Sequence, residues 1–216
     1  MLVATVFDLD ETLVDSAETW NRVIGAVAER HGQGWTADDW TAIQGTSVRH
    51  WSGYLAHRCR DLTPESAAAE CADGMIDALE GGRIGLLPGA ADLVAAAAGL
   101  GPIGLVSAAP GGYVRAAART FRLDFATMVT GEDVEHGKPA PDPYHLAAQR
   151  LGVDPAGCLA VEDSGSGIRS AHAAGMTVLA IPNPATALDL DVLELADHYA
   201  TDAHIAAKAL PSLVGL

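Results

Sequence analysis

VFDLDETLVD, residues 6–15, places three acids, Asp8, Asp10 and Glu11, within four positions, at the end of the apolar run LVATVF (2–7). An almost continuously apolar run that stops at a cluster of charge reads as a buried strand carrying polar groups at its C-terminal end. The two-residue period of a strand points Asp8 and Asp10 to the same side. Carboxylates about 4 Å apart repel by ~4 kcal/mol at an effective dielectric of 20, so this cluster requires a positive partner.

Similar runs recur along the chain. PIGLVS (102–107), ATMVTG (126–131), CLAVED (158–163) and TVLAIP (177–182) read as further strands. Helical stretches separate them: PGAADLVAAAAGL (88–100), YVRAAARTFRL (113–123), a segment from Asp142 through Arg150, and SGIRSAHAAGM (166–176). Alternating β and α implies an α/β fold with a doubly wound, Rossmann-like parallel sheet. Asp142 reads as an N-cap with Pro143 at the first helical position, and Asp154 before Pro155 reads the same way.

One region breaks the alternation. From Ser16 to Gly82 there are helix signals and no convincing strand: Thr36 before ADDW, Thr63-Pro64-Glu65, and a stop at Gly81-Gly82. All four tryptophans, Trp20, Trp35, Trp40 and Trp51, fall here and read mainly as the core of this segment. The expected organisation is therefore an α/β core from residues 1–15 and 83–216, with a helical cap domain inserted at 16–82. Such an insertion sits above the C-terminal end of the first strand, where open α/β sheets bind ligands.

The bulk numbers narrow the partners. With 216 residues, 49% of them apolar, the chain can bury a sizeable core. A net charge of −15 argues against nucleic acid and anionic membranes, but leaves room for a small phosphorylated metabolite held through a cation. Cys59, Cys71 and Cys158 are odd in number and lack metal-ligand spacing, which suits reduced thiols in the cytoplasm. No signal peptide is evident, and the tract 93–106 is broken by Gly and Pro and falls short of a membrane span. Oligomeric state is open; the lack of a heptad pattern or long exposed strand favours a monomer.

The strand reading gathers polar residues at several strand ends: Asp8 and Asp10, then Ser107, then Glu162 and Asp163. Lys138, one of only two lysines, lies in the loop HGKPAPDP. Carboxylates from two loops make a hard-oxygen site suited to Mg²⁺, and Lys138 adds a further positive charge.

In order and spacing these motifs resemble the haloacid dehalogenase superfamily, in its phosphatase and phosphomutase branch with a helical cap. The resemblance rests on DLDET with Asp8 and Asp10, IGLVS ending at Ser107, GKPAPDPY with Lys138, and VEDSGSG with Glu162 and Asp163. It implies a Mg²⁺-dependent phosphomonoester hydrolase. Asp8 would attack phosphorus to form an aspartyl-phosphate, and Asp10 would serve as acid and then base. Asp8, the Asp10 carbonyl, Glu162 and Asp163 would hold the metal, while Ser107 and Lys138 would bind phosphate. Glu11 stands where the family usually has Gly and is expected to face solvent.

The cap discriminates among family members. A dehalogenase departs from the second aspartate, which is present here as Asp10. A phosphonate hydrolase needs a cap lysine, and residues 16–82 contain none. The β-phosphoglucomutase family is nearer through VEDSGSGIRSAHAAGM and IQGTSVR, but it has a His where this chain has Trp20, and its cap lysine is missing. The resulting expectation is a phosphatase of a sugar phosphate or a phosphoglycolate-like compound, with a phosphomutase or a non-catalytic binding protein as alternatives. Trp20, Thr46, Ser47 and Arg49 are the candidates for substrate specificity.

Overall fold

The computed structural model of the protein describes residues 2–186 and 190–214. The chain runs through β1 (Ala4–Phe7) and β2 (Val14–Asp15), then four helices, α1 (Ala17–Arg30), α2 (Ala37–Ile43), α3 (Val48–Arg58) and α4 (Pro64–Glu80). It continues through β3 (Gly85–Leu86), α5 (Ala90–Ala98), β4 (Ile103–Val106), α6 (Gly111–Thr120), β5 (Thr127–Val129) and α7 (Asp142–Leu151). The last elements are β6 (Cys158–Glu162), α8 (Gly165–Ala173), β7 (Thr177–Ala180), α9 (Leu190–Leu193), β8 (His198–Tyr199) and α10 (Ala203–Leu213).

Six strands form one parallel sheet of order β5-β4-β1-β6-β7-β8. The chain builds outward from β1 through β4 to β5, then returns to add β6, β7 and β8 on the other side. That reversal puts the topological switch point at β1, beside the acids that follow it. The strands are buried on both faces. Phe7, Leu105 and Val161 pack into one apolar layer, while Val6, Val106 and Ala160 pack into another with Tyr144 of α7 and Ile168 of α8. Continuous burial is why these strands read as unbroken apolar runs.

Local signals start and stop the helices between β2 and β3. Thr36 caps α2 and Thr63 caps α4, each accepting from a backbone N–H three residues on, with Pro64 in the first turn of α4. Gly82, at φ +67°, takes the left-handed turn that ends α4. The antiparallel pair β2 and β3 closes both ends of the helical segment, Val14 lying opposite Leu86. Two-residue strands carry no period, so neither this ribbon nor β8 is visible in the sequence.

The Asp142 expectation is corrected by one residue. Pro141 is the N-cap of α7, with φ −73° and ψ −11°, and its carbonyl accepts from the His145 N–H at 3.0 Å. The proline ring fixes a helical φ, so the helix is entered one residue early and Asp142 becomes its first residue. Asp154 does cap its short 3-10 turn, accepting from the Ala156 N–H at 2.9 Å. The three cysteines are buried free thiols. No helix among the described residues is long and apolar enough to cross a membrane.

His31, at the C-terminal end of α1, ties that helix to α4. Its Nδ1 lies 2.8 Å from Asp61 and its Nε2 3.2 Å from Glu70. Hydrogen bonds to these two carboxylates raise the imidazole pKa. A raised folded-state pKa gives stability that is complete below the unfolded value of about 6.5 and fades as pH rises through the folded value. The melting temperature of His31→Gln is therefore expected to lie below that of the parent protein at acid pH. The gap closes toward alkaline pH; a gap that does not change with pH contradicts the ion-pair reading.

Candidate active site

The register of three adjacent strands builds the site. Phe7 pairs with both Leu105 of β4 and Val161 of β6, so residues 8, 106 and 162 emerge at one level of the sheet and Ser107 follows one residue beyond it. Asp8 is anchored there by its backbone N–H, which donates to the Val161 carbonyl at 3.0 Å. Lys138 arrives from the loop before α7, with Nζ 2.5 Å from Asp8 Oδ1 and 2.5 Å from Glu162 Oε1. Asp8, Lys138, Glu162 and Asp163 are all buried.

Asp8, Glu162 and Asp163 each offer one carboxylate oxygen, and the three atoms lie within 4.8 Å of one another. Burial drives the Asp8 carboxyl well above the usual carboxylate range; Lys138 opposes this, and Glu162 and Asp163 add to it. Asp163 is pushed up to about 7 by burial and then by Glu162, against hydrogen bonds from Thr12 and Thr186. Burial alone would lower the Lys138 ammonium, but Asp8 and Glu162 outweigh it and raise its pKa. One ammonium cannot neutralise three carboxylates. Buried, oxygen-only and in excess of negative charge, this donor set fits a hard dication such as Mg²⁺.

Other side chains fix these acids in place. Thr12 and Thr186 hydroxyls donate to Asp163 Oδ1 and Oδ2, both at 2.7 Å. Glu162 accepts from Tyr144 at 2.6 Å and Ser164 Oγ at 3.1 Å. A Cβ added at Gly167 would overlap the Glu162 carboxylate, so a larger residue in this first turn of α8 would have to displace that group. Thr186, Tyr113 and Tyr144 were missed by sequence reasoning, because they reach the site by tertiary packing and carry no motif of their own.

Asp10 points away from the three-carboxylate group into a set of donors. Its Oδ1 accepts from Ser16 Oγ at 2.7 Å, Tyr113 Oη at 2.9 Å and Trp20 Nε1 at 3.0 Å. Its Oδ2 has the Ser107 hydroxyl at 3.3 Å. Glu11 does not face solvent as expected, being only 6% exposed. It adopts φ +64°, which turns its carboxylate onto the start of α1, accepting from the Ser16 N–H at 2.8 Å and the Ala17 N–H at 2.7 Å. Ser16, the N-cap by position, makes no side-chain cap bond, so Glu11 does the capping from outside the helix.

A cavity of about 140 Å³ opens above Asp8, Asp10, Ser107 and Lys138. Trp20 and Thr46 line it, together with Trp40 and Trp51. Ser47 and Arg49 instead line a neighbouring cleft with Glu65 and Glu132. Successive helical residues turn by ~100°, so Arg49 and Trp51, two apart on α3, lie on opposite faces.

Fold and centre together define a doubly wound α/β protein with an acid-rich, cation-demanding site. The chain belongs to the haloacid dehalogenase-like hydrolase family, whose model matches residues 3–175. It is 35% identical over 199 residues to hexitol phosphatase A of Escherichia coli, covering 89% of each protein. It is 31% identical to protein CbbY of Rhodobacter capsulatus over 201 residues, 86% of this chain and 87% of the relative. The crystal structure of CbbY from Rhodobacter sphaeroides in complex with phosphate superposes with a TM-score of 0.84 at 25% identity, covering 94% of this chain and 96% of that one.

Two substitutions test this geometry. Gly167→Ala displaces Glu162 and is expected to cost about 10–100-fold in metal affinity, the scale found for groups that orient ligands; calorimetric titration with Mg²⁺ measures it. Glu11→Ala removes the cap of α1 and is expected to destabilise the protein by about 0.5–2 kcal/mol in urea. An unchanged urea midpoint would mean that Glu11 holds nothing.

Proposed function

We propose that the protein is a Mg²⁺-dependent phosphomonoester hydrolase that acts on a small phosphorylated metabolite through an aspartyl-phosphate on Asp8. The observation that carries this reading is the convergence of Asp8, Glu162 and Asp163 with Lys138 at the floor of one cavity. Family membership and the named phosphatases among the relatives support it. Relatives named as hexitol and fructose-1-phosphate phosphatases put those esters among the compounds to test. Three buried free thiols fit a reducing cytoplasm.

In the first half-reaction an Asp8 carboxylate oxygen attacks phosphorus as the bond to the alcohol oxygen breaks. Asp10 gives its proton to that departing oxygen. Three donors crowd Asp10 Oδ1, so Oδ2 is the atom that carries the proton. In the second half-reaction Asp10 Oδ2 takes a proton from water, whose oxygen attacks phosphorus. The acyl-phosphate bond breaks, releasing inorganic phosphate and restoring the Asp8 carboxylate. Ser107 and Lys138 bind the phosphoryl oxygens, and the Lys138 ammonium opposes the rise that burial imposes on the Asp8 carboxyl. Mg²⁺, held by Asp8, the Asp10 carbonyl, Glu162 and Asp163, would supply charge neutralisation between nucleophile and phosphoryl group.

Phosphate release from a panel of phosphorylated metabolites is expected with Mg²⁺ and not with EDTA. Asp8→Asn should lower kcat by about 10⁴-fold or more, the scale of losing a nucleophile in other hydrolases. Turnover that survives EDTA or Asp8→Asn overturns the mechanism.

A further inference from the structure

The wall of the cavity facing the catalytic acids is apolar and aromatic. Trp20 and Ile24 of α1, Trp40 and Ile43 of α2, Trp51 of α3 and Ala109 from the core line the space next to Asp8 and Asp10. The Trp20 and Trp51 rings lie 5.8 Å apart, and Trp20 meets Tyr113 edge-on at 5.1 Å. We propose that the alcohol carried by the substrate is a compact, uncharged, predominantly apolar group, aromatic or branched aliphatic, rather than a polyol or a body with a second anionic group. This rests on the phosphomonoester hydrolysis proposed above and narrows its substrate class.

The polar side chains of the same wall already commit a donor to the protein. The Trp20 indole N–H donates to Asp10 at 3.0 Å, and the Thr46 hydroxyl donates to the Ile43 carbonyl at 2.6 Å. Gln44 Nε2 donates to the Ala185 carbonyl at 2.7 Å, and the Ser166 hydroxyl donates to the Gly45 carbonyl at 3.2 Å. Thr186 donates to Asp163 at 2.7 Å. Polyols do stack on indole rings, but they also need donors and acceptors for their hydroxyls. Each hydroxyl brought here without a partner forfeits its water hydrogen bonds, a penalty of about tenfold or more in affinity.

Charge points the same way. Among the described residues lining the cavity Lys138 is the one cation, and it is held between Asp8 and Glu162. Asp10, Glu11 and Asp163 also line it, so a second phosphate or a carboxylate on the substrate would meet carboxylates instead of a counter-charge. Arg49, which could have supplied one, lines the neighbouring cleft. Volume sets the size. The cavity of about 140 Å³ has to hold the phosphoryl group beside Asp8, Ser107 and Lys138 as well as the alcohol, so the alcohol is small.

The test compares kcat/KM, with Mg²⁺ present, for benzyl phosphate, sorbitol 6-phosphate, fructose 1-phosphate and phosphoglycolate. All four release an alkyl oxygen, so activated leaving groups do not distort the comparison. Benzyl phosphate is expected to exceed each of the others by about 100-fold or more, the effect of two or more unpaired hydroxyls or an uncompensated charge. Trp40→Ala, on a half-buried side chain, is expected to reduce this ratio about tenfold or more, through loss of apolar contact with the ring. A sugar or hexitol phosphate turned over as well as benzyl phosphate, or a ratio untouched by Trp40→Ala, overturns the apolar-alcohol proposal while leaving the hydrolase reading intact. Hydrolysis of none of the esters with Mg²⁺ overturns both.

Discussion

The repulsion among three buried carboxylates is the constraint on which the rest of the structure depends. Asp8 and Glu162 leave neighbouring parallel strands whose register sets residues 7 and 161 side by side, so their charges converge whatever the helices do. With Lys138 as the one ammonium between them, ionising all three acids leaves two negative charges in excess in a desolvated pocket. A structure tolerates this only by surrounding the acids with donors and admitting a cation. Thr12, Thr186, Tyr144 and Ser164 are those donors. They come from four separate stretches of chain, so much of the fold's long-range order serves to keep four ionisable groups together.

Residues 10–20 tie that centre to the helices above it. Asp10 is held by Ser16 at the entry to α1 and by Trp20 in its first turn, while Glu11 holds the first N–H groups of the same helix. Glutamate in the left-handed region is unfavourable relative to glycine by roughly 1–2 kcal/mol. The two backbone hydrogen bonds and the interaction of its charge with the helix N-terminus offset that strain. The orientation of the Asp10 carboxylate and the seating of α1 are thus one arrangement, and moving either disturbs the other.

Much of the centre was legible in the sequence because parallel strands buried on both faces interrupt their apolar runs only where they end. Polar residues at those ends stand out, which is how Asp8, Ser107 and Glu162 can be named without coordinates. Helix starts at Thr36 and Thr63 were equally readable, since capping chemistry is local. What the sequence hid was set by three-dimensional neighbours. Glu11 looked like a solvated charge because nothing local marks a positive φ in a glutamate. Asp142 lost the capping position to the fixed ring of Pro141. The cap segment IQGTSVR singles out Ser47 and Arg49 together with Thr46, but the start of α3 turns them toward another cleft.

Trp20 joins the two halves of the chemistry. Its N–H fixes Asp10 Oδ1 while its ring packs against Trp51 and Tyr113 in the wall that an alcohol would meet. An apolar wall also excludes water from the space beside Asp10, and a lower local dielectric strengthens every charge interaction below it. In the proposed hydrolysis, recognition and proton transfer would draw on one feature, since the surface that favours an apolar body also sharpens the field around Asp10. A wall of hydroxyl-binding side chains in the same place would retain ordered water and weaken that field. The indoles are therefore an electrostatic component of the centre as well as a shape for its substrate.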